Sequence, residues 1–341
     1  MPGSPFFTFA STRRLDAGVL MALRFALALA VCGALAAAPA FGAEPWPTRS
    51  VRVIVPHPAG GSVDAVARMI TRRLADVLGK PFIVENRGGA NGNIGAAAVA
   101  SAPPDGYTLL FTTTGPLVFN KLIYKSTAFN PAKDFAPIVK FSAIPLVVVA
   151  NAGIPVKNIS ELVAYVKANP GKVSYASPGN GSMGRLTAEL LQRDLGIEMT
   201  HIPYTGSAPA MNDLLSGNVN LSFDLLPTHT EHIRNGTLKA LAVTTRNRTA
   251  ILPQAATLAE QGMPEFEAVG WTALLGPAGL APETIQNLNR IVNAFLVSDE
   301  GKSVLLNFGM EPLGGTPEEL AGFMASELTK WRPVAEKVSP E

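Results

Sequence analysis

The sequence predicts an α/β protein built as a two-domain clamp, and three observations carry that prediction. Short β-branched runs alternate with helix-period segments from about residue 50 onward. Two longer apolar runs, residues 135–151 and 269–275, lie where the chain would leave one such domain and return to it. Three strand-to-helix junctions, at residues 51–64, 173–182 and 200–208, carry Gly, Ser and Pro in the turn. Each junction aims the free N–H groups of a helix start beyond a strand end, which is how a protein holds an anion without a cation. The clamp divides into lobe I (44–147 and 260–341) and lobe II (148–259).

Taken in order, residues 51–55 (VRVIV) read as a strand and 63–78 as a helix with Val66, Ile70, Leu74 and Leu78 on one face. Gly79 and Pro81 stop that helix. Residues 82–85 form a second strand, 94–101 a helix of small residues and 107–113 a third strand. Residues 135–151 form one long strand, interrupted at Pro145, that crosses between the lobes. In the second set Ser160 caps a helix over 160–168. Strands at 173–176, 199–203, 219–223 and 240–244 then alternate with helices at 185–195, 208–215 and 229–235. Residues 269–275 cross back, and the remainder is helical. There Thr316-Pro317-Glu318-Glu319 is a capping box with proline at the first helical position.

A chain of 341 residues has room for two modest domains, and 47% hydrophobic against 16% charged residues describes a buried core rather than disorder. Residues 25–37 (FALALAVCGALAA) form an apolar core behind Arg24, with Ala38-Pro39-Ala40 or Ala40-Phe41-Gly42 as cleavage sites. That predicts a signal peptide over 1–43, too short to span a bilayer. Met21 offers a more ordinary start, so residues 1–20 read as an overlong one, and Arg13-Arg14 stands too far from the apolar run for a twin-arginine signal. Cleavage removes Arg13, Arg14, Arg24 and Asp16 and leaves 25 basic and 25 acidic residues. A neutral, unclustered chain argues against nucleic acid and against a polybasic membrane patch. The lone Cys32 falls inside the signal, and Val31 before it argues against a lipid anchor, so the mature chain has no thiol chemistry, disulfide or cysteine metal site.

The loop Pro56-His57-Pro58-Ala59-Gly60-Gly61-Ser62-Val63-Asp64 is the strongest site candidate. Gly60 and Gly61 let the backbone approach a ligand. Asp64 falls in the first helical turn, either as a helix-start residue or as a group that meets a ligand amine or orients the loop. His57 either packs its ring on the ligand or donates to a carboxylate, or is a plain loop histidine. Residues 86–95 (NRGGANGNIG) read as a tight turn that lets helix and sheet pack closely, with Arg87 exposed or structurally paired. Residues 179–184 (GNGSMG) satisfy GxGxxG, but a dinucleotide site needs an acid near the end of the next strand, which reads HIPYT. What remains is an anion cradle from Asn180, Gly181 and Ser182. The same residues miss a nucleophile elbow by its first glycine and have no evident His/Asp partner. Tyr204, Gly206, Ser207 and Ala208 repeat the cradle, and Asp224 either lines the cleft or caps the next turn. His229 and His232 have no third ligand nearby and read as a solvated helix face, so no metal and no cofactor is expected.

These landmarks together resemble the Bug/TctC family of periplasmic receptors associated with tripartite tricarboxylate transporters. The resemblance runs from Trp46-Pro47 to about Val338. It rests on VRVIVPHPAGGSVDAVAR, VENRGGANGNIGAAAVA, PDGYTLLFTTTG, DFAPIV, YASPGNGS, HIPYTGSAPAMNDLLSG and LKALAVTT. It implies a type II-like periplasmic-binding-protein clamp, each lobe a mixed sheet flanked by helices, with two crossing strands as hinge. It also implies a small carboxylate, often a dicarboxylate, held by loop N–H groups and ordered water rather than by arginine. By motif position the implied contacts are the Ala59–Asp64 loop, the Thr112–Thr114 strand end with Thr113 and Thr114, Asn180 to Ser182, and Tyr204 to Ala208. Asp64 aligns with the position that meets the amino group of amino-acid ligands. His57 stands where an aromatic ring is common, and Arg185 where a polar residue or histidine is usual. The implied function is a non-catalytic, monomeric periplasmic receptor that closes on its ligand. It would serve the permease subunits of such a transporter or act as an orphan sensor. The alternative is a secreted serine-type hydrolase using Ser182 or Asp64.

Overall fold

Parallel pairing of short β-branched strands starts the structure, a computed structural model that describes residues 46–338 together with Gly18 and Met21. The signal-peptide reading of residues 1–43, Cys32 included, otherwise lies outside the described residues. Strand β1 (Val51–Val55) is followed by α1 (Ser62–Leu78), β2 (Phe82–Asn86), α2 (Asn93–Ala100) and β3 (Thr108–Thr113). β1 lies between β2 and β3, parallel to both. Helix α1 buries Val66, Ile70 and Leu74, one per turn, and ends where Gly79 at φ 69° returns its N–H to the Ala75 carbonyl.

A π-type turn over Gly115–Phe119 runs into the short helices α3 (Asn120–Ile123) and α4 (Pro131–Asp134), which the sequence reading did not foresee. Then comes β4 (Phe135–Asn151), one strand of 17 residues with the bounds read from sequence. After it follow α5 (Ile159–Ala168), β5 (Ser174–Ser177), α6 (Met183–Leu195), β6 (Thr200–Pro203), α7 (Ser207–Ser216) and β7 (Leu221–Leu225). The chain continues through α8 (Leu226–Arg234), β8 (Leu238–Val243), β9 (Val269–Pro277), α9 (Pro282–Val297), α10 (Asp299–Asn307), β10 (Glu311–Pro312) and α11 (Pro317–Ala335).

The sheet order is β2-β1-β3-β9-β4-β7-β5-β6, with β8 and β10 also on β4. From Phe135 to Pro145, β4 pairs antiparallel with β9; from Leu146 onward it pairs with β7 on one edge and β8 on the other. Proline has no N–H to give a ladder, so Pro145 sits where the ladder changes partners. The C-terminal ends of β1, β3, β5 and β7 converge at this changeover.

Two sequence expectations are corrected. The cap of α5 is Asn158, whose side chain accepts from Glu161 N–H, not Ser160, so the helix begins one residue earlier. Helix α8 begins at Leu226, because Pro227 suits a first turn, and this carries His229 into the core at 1% exposure rather than onto a solvated face. The capping box of α11 forms as read, from Thr316 and Glu319. That helix seats Trp331 edge-on to Phe119 at 5.5 Å between ring centroids, bracing the π-type turn from below.

Gly184 lets the start of α6 press on β7: a Cβ there would overlap the Phe223 carbonyl oxygen. We expect Gly184→Ala to cost about 3 kcal/mol in urea unfolding. A cost below about 0.5 kcal/mol, the range of neutral surface changes, would mean that this approach yields easily.

Candidate functional site

Where the strand ends meet, a cavity of about 500 Å³ opens, within the range of small-ligand sites. Its wall takes one piece from each junction: His57 and Val63 from β1–α1, Thr113 and Thr114 from β3, Asn180 to Gly184 from β5–α6, Ser207 from α7, and Asp224 and Leu225 from β7–α8. Four helix starts, those of α1, α6, α7 and α8, therefore touch one space. The caps of α1 and α7 are Gly61 and Gly206, which offer no side chain to the first N–H groups. Gly206, at φ 156°, sits at the edge of the glycine-favouring region. No lysine or arginine occurs among the described wall residues.

The polar side chains of the wall are neutral or weakly committed. Burial pushes His57 down to about 4, so its ring is uncharged at neutral pH, with Nε2 3.3 Å from the Thr113 hydroxyl. Thr114 ties β3 to β9: its hydroxyl accepts from Trp271 N–H at 3.1 Å. Burial pushes Asp224 up to about 6, against the Ser207 hydroxyl and Leu225 N–H, which lower it.

Other sequence candidates stand off the wall. Ala59, Gly60 and Ser62 are exposed on the loop, and Gly206 and Ala208 flank Ser207 without lining the space. Tyr204 turns its hydroxyl to Asp213, donating at 2.6 Å. Asp64 sits in the first turn of α1 and ties down its own loop. Its Oδ2 accepts from Gly60 N–H at 2.9 Å and Arg68 Nε at 3.0 Å, and its Oδ1 from Asn86 Nδ2 at 2.9 Å. Both oxygens are occupied, so no ligand amine is needed there. Arg185 is held by Glu189 at 3.1 Å and by the Tyr175 hydroxyl, and does not reach the wall.

Ser182 is a helix cap. Its hydroxyl donates to the Gly179 carbonyl at 2.7 Å and accepts from Arg185 N–H at 3.1 Å. The half-buried His57 and His201 and the buried His229 bond to Thr113, Ser177 and Thr228 instead. Sequence reasoning missed Asn91, Phe119, Tyr124 and Trp271 in the wall. Asn91 was findable: an asparagine before a glycine in a turn favours the left-handed backbone it adopts at φ 50°, and its amide donates to the buried Asn120 at 2.8 Å. The glycines beside it also give the close packing read from sequence, since a Cβ on Gly95 would meet the Arg87 carbonyl at 2.7 Å. Trp271 had no local signal, because its place depends on β9 lying between β3 and β4.

Comparison with known proteins agrees with this geometry. The model of the tripartite tricarboxylate transporter family receptor (TctC) matches residues 66–339. The chain belongs to that family. It is 39% identical over 290 residues to Protein BugT of Bordetella pertussis, covering 85% of this chain and 89% of that one. Among solved structures it is similar to R. palustris Rpa4515 with adipate, at 36% identity and a TM-score of 0.77, covering 87% of this chain and all of that one. It is also similar to MatC (Rpa3494) from Rhodopseudomonas palustris with bound malate, at 32% identity and a TM-score of 0.72, covering 85% and all of the two chains. The Bug/TctC resemblance and the mixed α/β periplasmic-binding-protein fold class are thereby established. The family consists of periplasmic binding receptors, and no helix among the described residues is long and apolar enough to cross a membrane.

Burial works to raise Asp64, but the hydrogen bonds from Arg68, Gly60 and Asn86 outweigh it and hold the carboxyl below its usual range. A depressed value stabilises the fold above the unfolded pKa near 4 and loses that contribution as the pH falls through the folded value. We expect Asp64→Asn to cost about 2 kcal/mol at pH 7 in urea unfolding, with the difference from wild type shrinking toward pH 3.

Proposed function

We propose that this chain is a periplasmic, non-catalytic solute receptor that captures one small carboxylate, mono- or dicarboxylate, between its lobes. Lobe I (44–147 and 260–341) closes on lobe II (148–259) about the crossing strands, and the loaded receptor serves a tripartite tricarboxylate-type permease or a sensing partner. The observation that carries this reading is the cavity wall, in which uncapped helix starts and neutral hydroxyl, amide and imidazole groups converge without a lysine or arginine. Each helix start favours an anion by about 0.3–1 kcal/mol, and by up to about 2 kcal/mol where partly buried. Closure excludes water and strengthens each of these contributions. The adipate and malate in the two solved relatives favour an acid of four to six carbons as first choice.

His57, Thr113, Thr114, Asn180, Gly181, Ser182, Ser207 and Asp224 form the proposed binding set, with Asn91, Phe119, Tyr124 and Trp271 added from the wall. Ala59, Gly60, Ser62, Asp64, Tyr204, Gly206 and Ala208 shape the loops that carry it. Against the hydrolase alternative stands Ser182, whose hydroxyl is spent on its own helix start.

A thermal-shift screen of the exported chain against mono-, di- and tricarboxylates and amino acids tests this. A ligand at about 100 times its Kd adds roughly 2.7 kcal/mol of stability. We expect succinate, malate or adipate to raise the melting temperature, and Gly181→Val, whose side chain enters the cavity, to abolish the rise while melting like wild type without ligand. Silence toward every acid, in protein refolded to remove any carried ligand, would overturn the reading. Product formation from ester or amide panels would favour the hydrolase.

A further inference from the structure

Asp224 is the acid of the cavity wall, and it is placed unlike a structural aspartate. It stands next to the end of β7, is 3% exposed, and accepts Leu225 N–H on Oδ1 at 2.7 Å. Its Oδ2 is buried and makes no well-formed hydrogen bond among the described residues, although the Ser207 hydroxyl lies close enough to lower the carboxyl. Asp64, equally buried, has donors on both oxygens, so the open oxygen of Asp224 is a feature of its position. A buried polar atom left unpaired costs stability until something bonds to it.

The surroundings offer no counter-charge. Beside Asp224, β4 contributes Val147, its register partner, and α7 contributes the Ser207 hydroxyl. Helix α8 contributes His229, whose Nδ1 is engaged with Thr228 and whose charged form burial disfavours. Elsewhere in the wall the titratable groups are His57, uncharged, and Tyr124. From α6, Arg185 is committed to Glu189 and Tyr175, and on β5 and β6, Ser177 pairs with His201. An ionised ligand carboxylate arriving beside an ionised Asp224 would meet like charge, with helix starts but no side-chain cation in the wall to offset it.

We propose that Asp224 captures the ligand as a carboxylic acid, with a proton on Oδ2 donated in a hydrogen bond to one carboxylate oxygen of a dicarboxylate. Each ligand bound then takes up one proton from solvent, and no covalent bond forms or breaks. This inference rests on the carboxylate-receptor reading and adds proton coupling to it. Burial has already moved Asp224 up to about 6 without ligand, and a neighbouring carboxylate moves it further.

The test is calorimetry with adipate on the exported chain from pH 6.5 to 8.5, where adipate stays dianionic, in two buffers of different ionisation heat. His57, His201 and His229, each held near 4, do not titrate in that window. His232 hydrogen-bonds Thr237 outside the cavity, and a His232→Gln control removes it. Affinity should fall nearly tenfold per pH unit above 7, with close to one proton taken up per adipate at pH 8. Asp224→Asn, whose amide donates where the acid would, should flatten the profile and bind more tightly than wild type at pH 8.5. A flat wild-type profile without proton uptake overturns the proposal, as does a slope that survives in Asp224→Asn. So does an Asp224→Asn loss confined to malate, which would make Asp224 the acceptor of a ligand hydroxyl. Should Asp224→Asn fail to fold, proton uptake by the wild type decides alone. If no dicarboxylate binds at any pH, the receptor reading itself fails.

Discussion

Strand β4 is the constraint on which the rest of the structure depends. Its 17 residues belong to one ladder up to Pro145 and to two others beyond it, so both strand groups are hung on one continuous backbone. From Phe141 to Ala150 every residue is buried, so the strand is enclosed on both faces across the change of partners. The strand ends that form the cavity are positioned by this one element and by β9 beside it.

The second constraint is electrostatic. A water-excluding space that holds an anion needs compensation, and side-chain cations would bring their own desolvation cost. In the receptor reading proposed above, the cavity wall uses peptide dipoles instead, which are fixed by the helices and are not lost to titration. The two buried aspartates show how environment divides a residue type. Asp64, with donors on each oxygen, is held in its charged form and locks the loop before α1. Asp224, with one oxygen open and apolar strands around it, is pushed toward its neutral form. Between its ordinary value and about 6, the folded state binds the extra proton, so stability falls as the pH rises through that interval.

Much of the fold was legible because the local signals agree with each other. The apolar spacing of α1, the glycine and proline behind it, the capping box of α11 and the long run of β4 each specify an element without reference to the rest of the chain. Ser160 misled because asparagine two residues before it competes for the same cap and lies at the turn. His229 misled because two histidines at helical spacing look like an exposed pair until the helix is known to start at Leu226 and pack on β4 and β8. The short helices after Gly115 carry too few residues for any period to be read.

By itself the sequence determined the α/β class, the family, the strand-turn-helix junctions and the residue types at each turn, because these follow from short-range propensity and collinear motifs. Only the tertiary structure decided which junction residues face the cavity. It turned Tyr204 to Asp213 and Arg185 to Glu189, closed Asp64 on its own loop, and brought Asn91 and Trp271 to the wall. The physical reason is that a side chain's direction and its partners depend on which strands lie beside it. That pairing joins residues more than a hundred positions apart, such as Thr114 and Trp271, which no local pattern encodes.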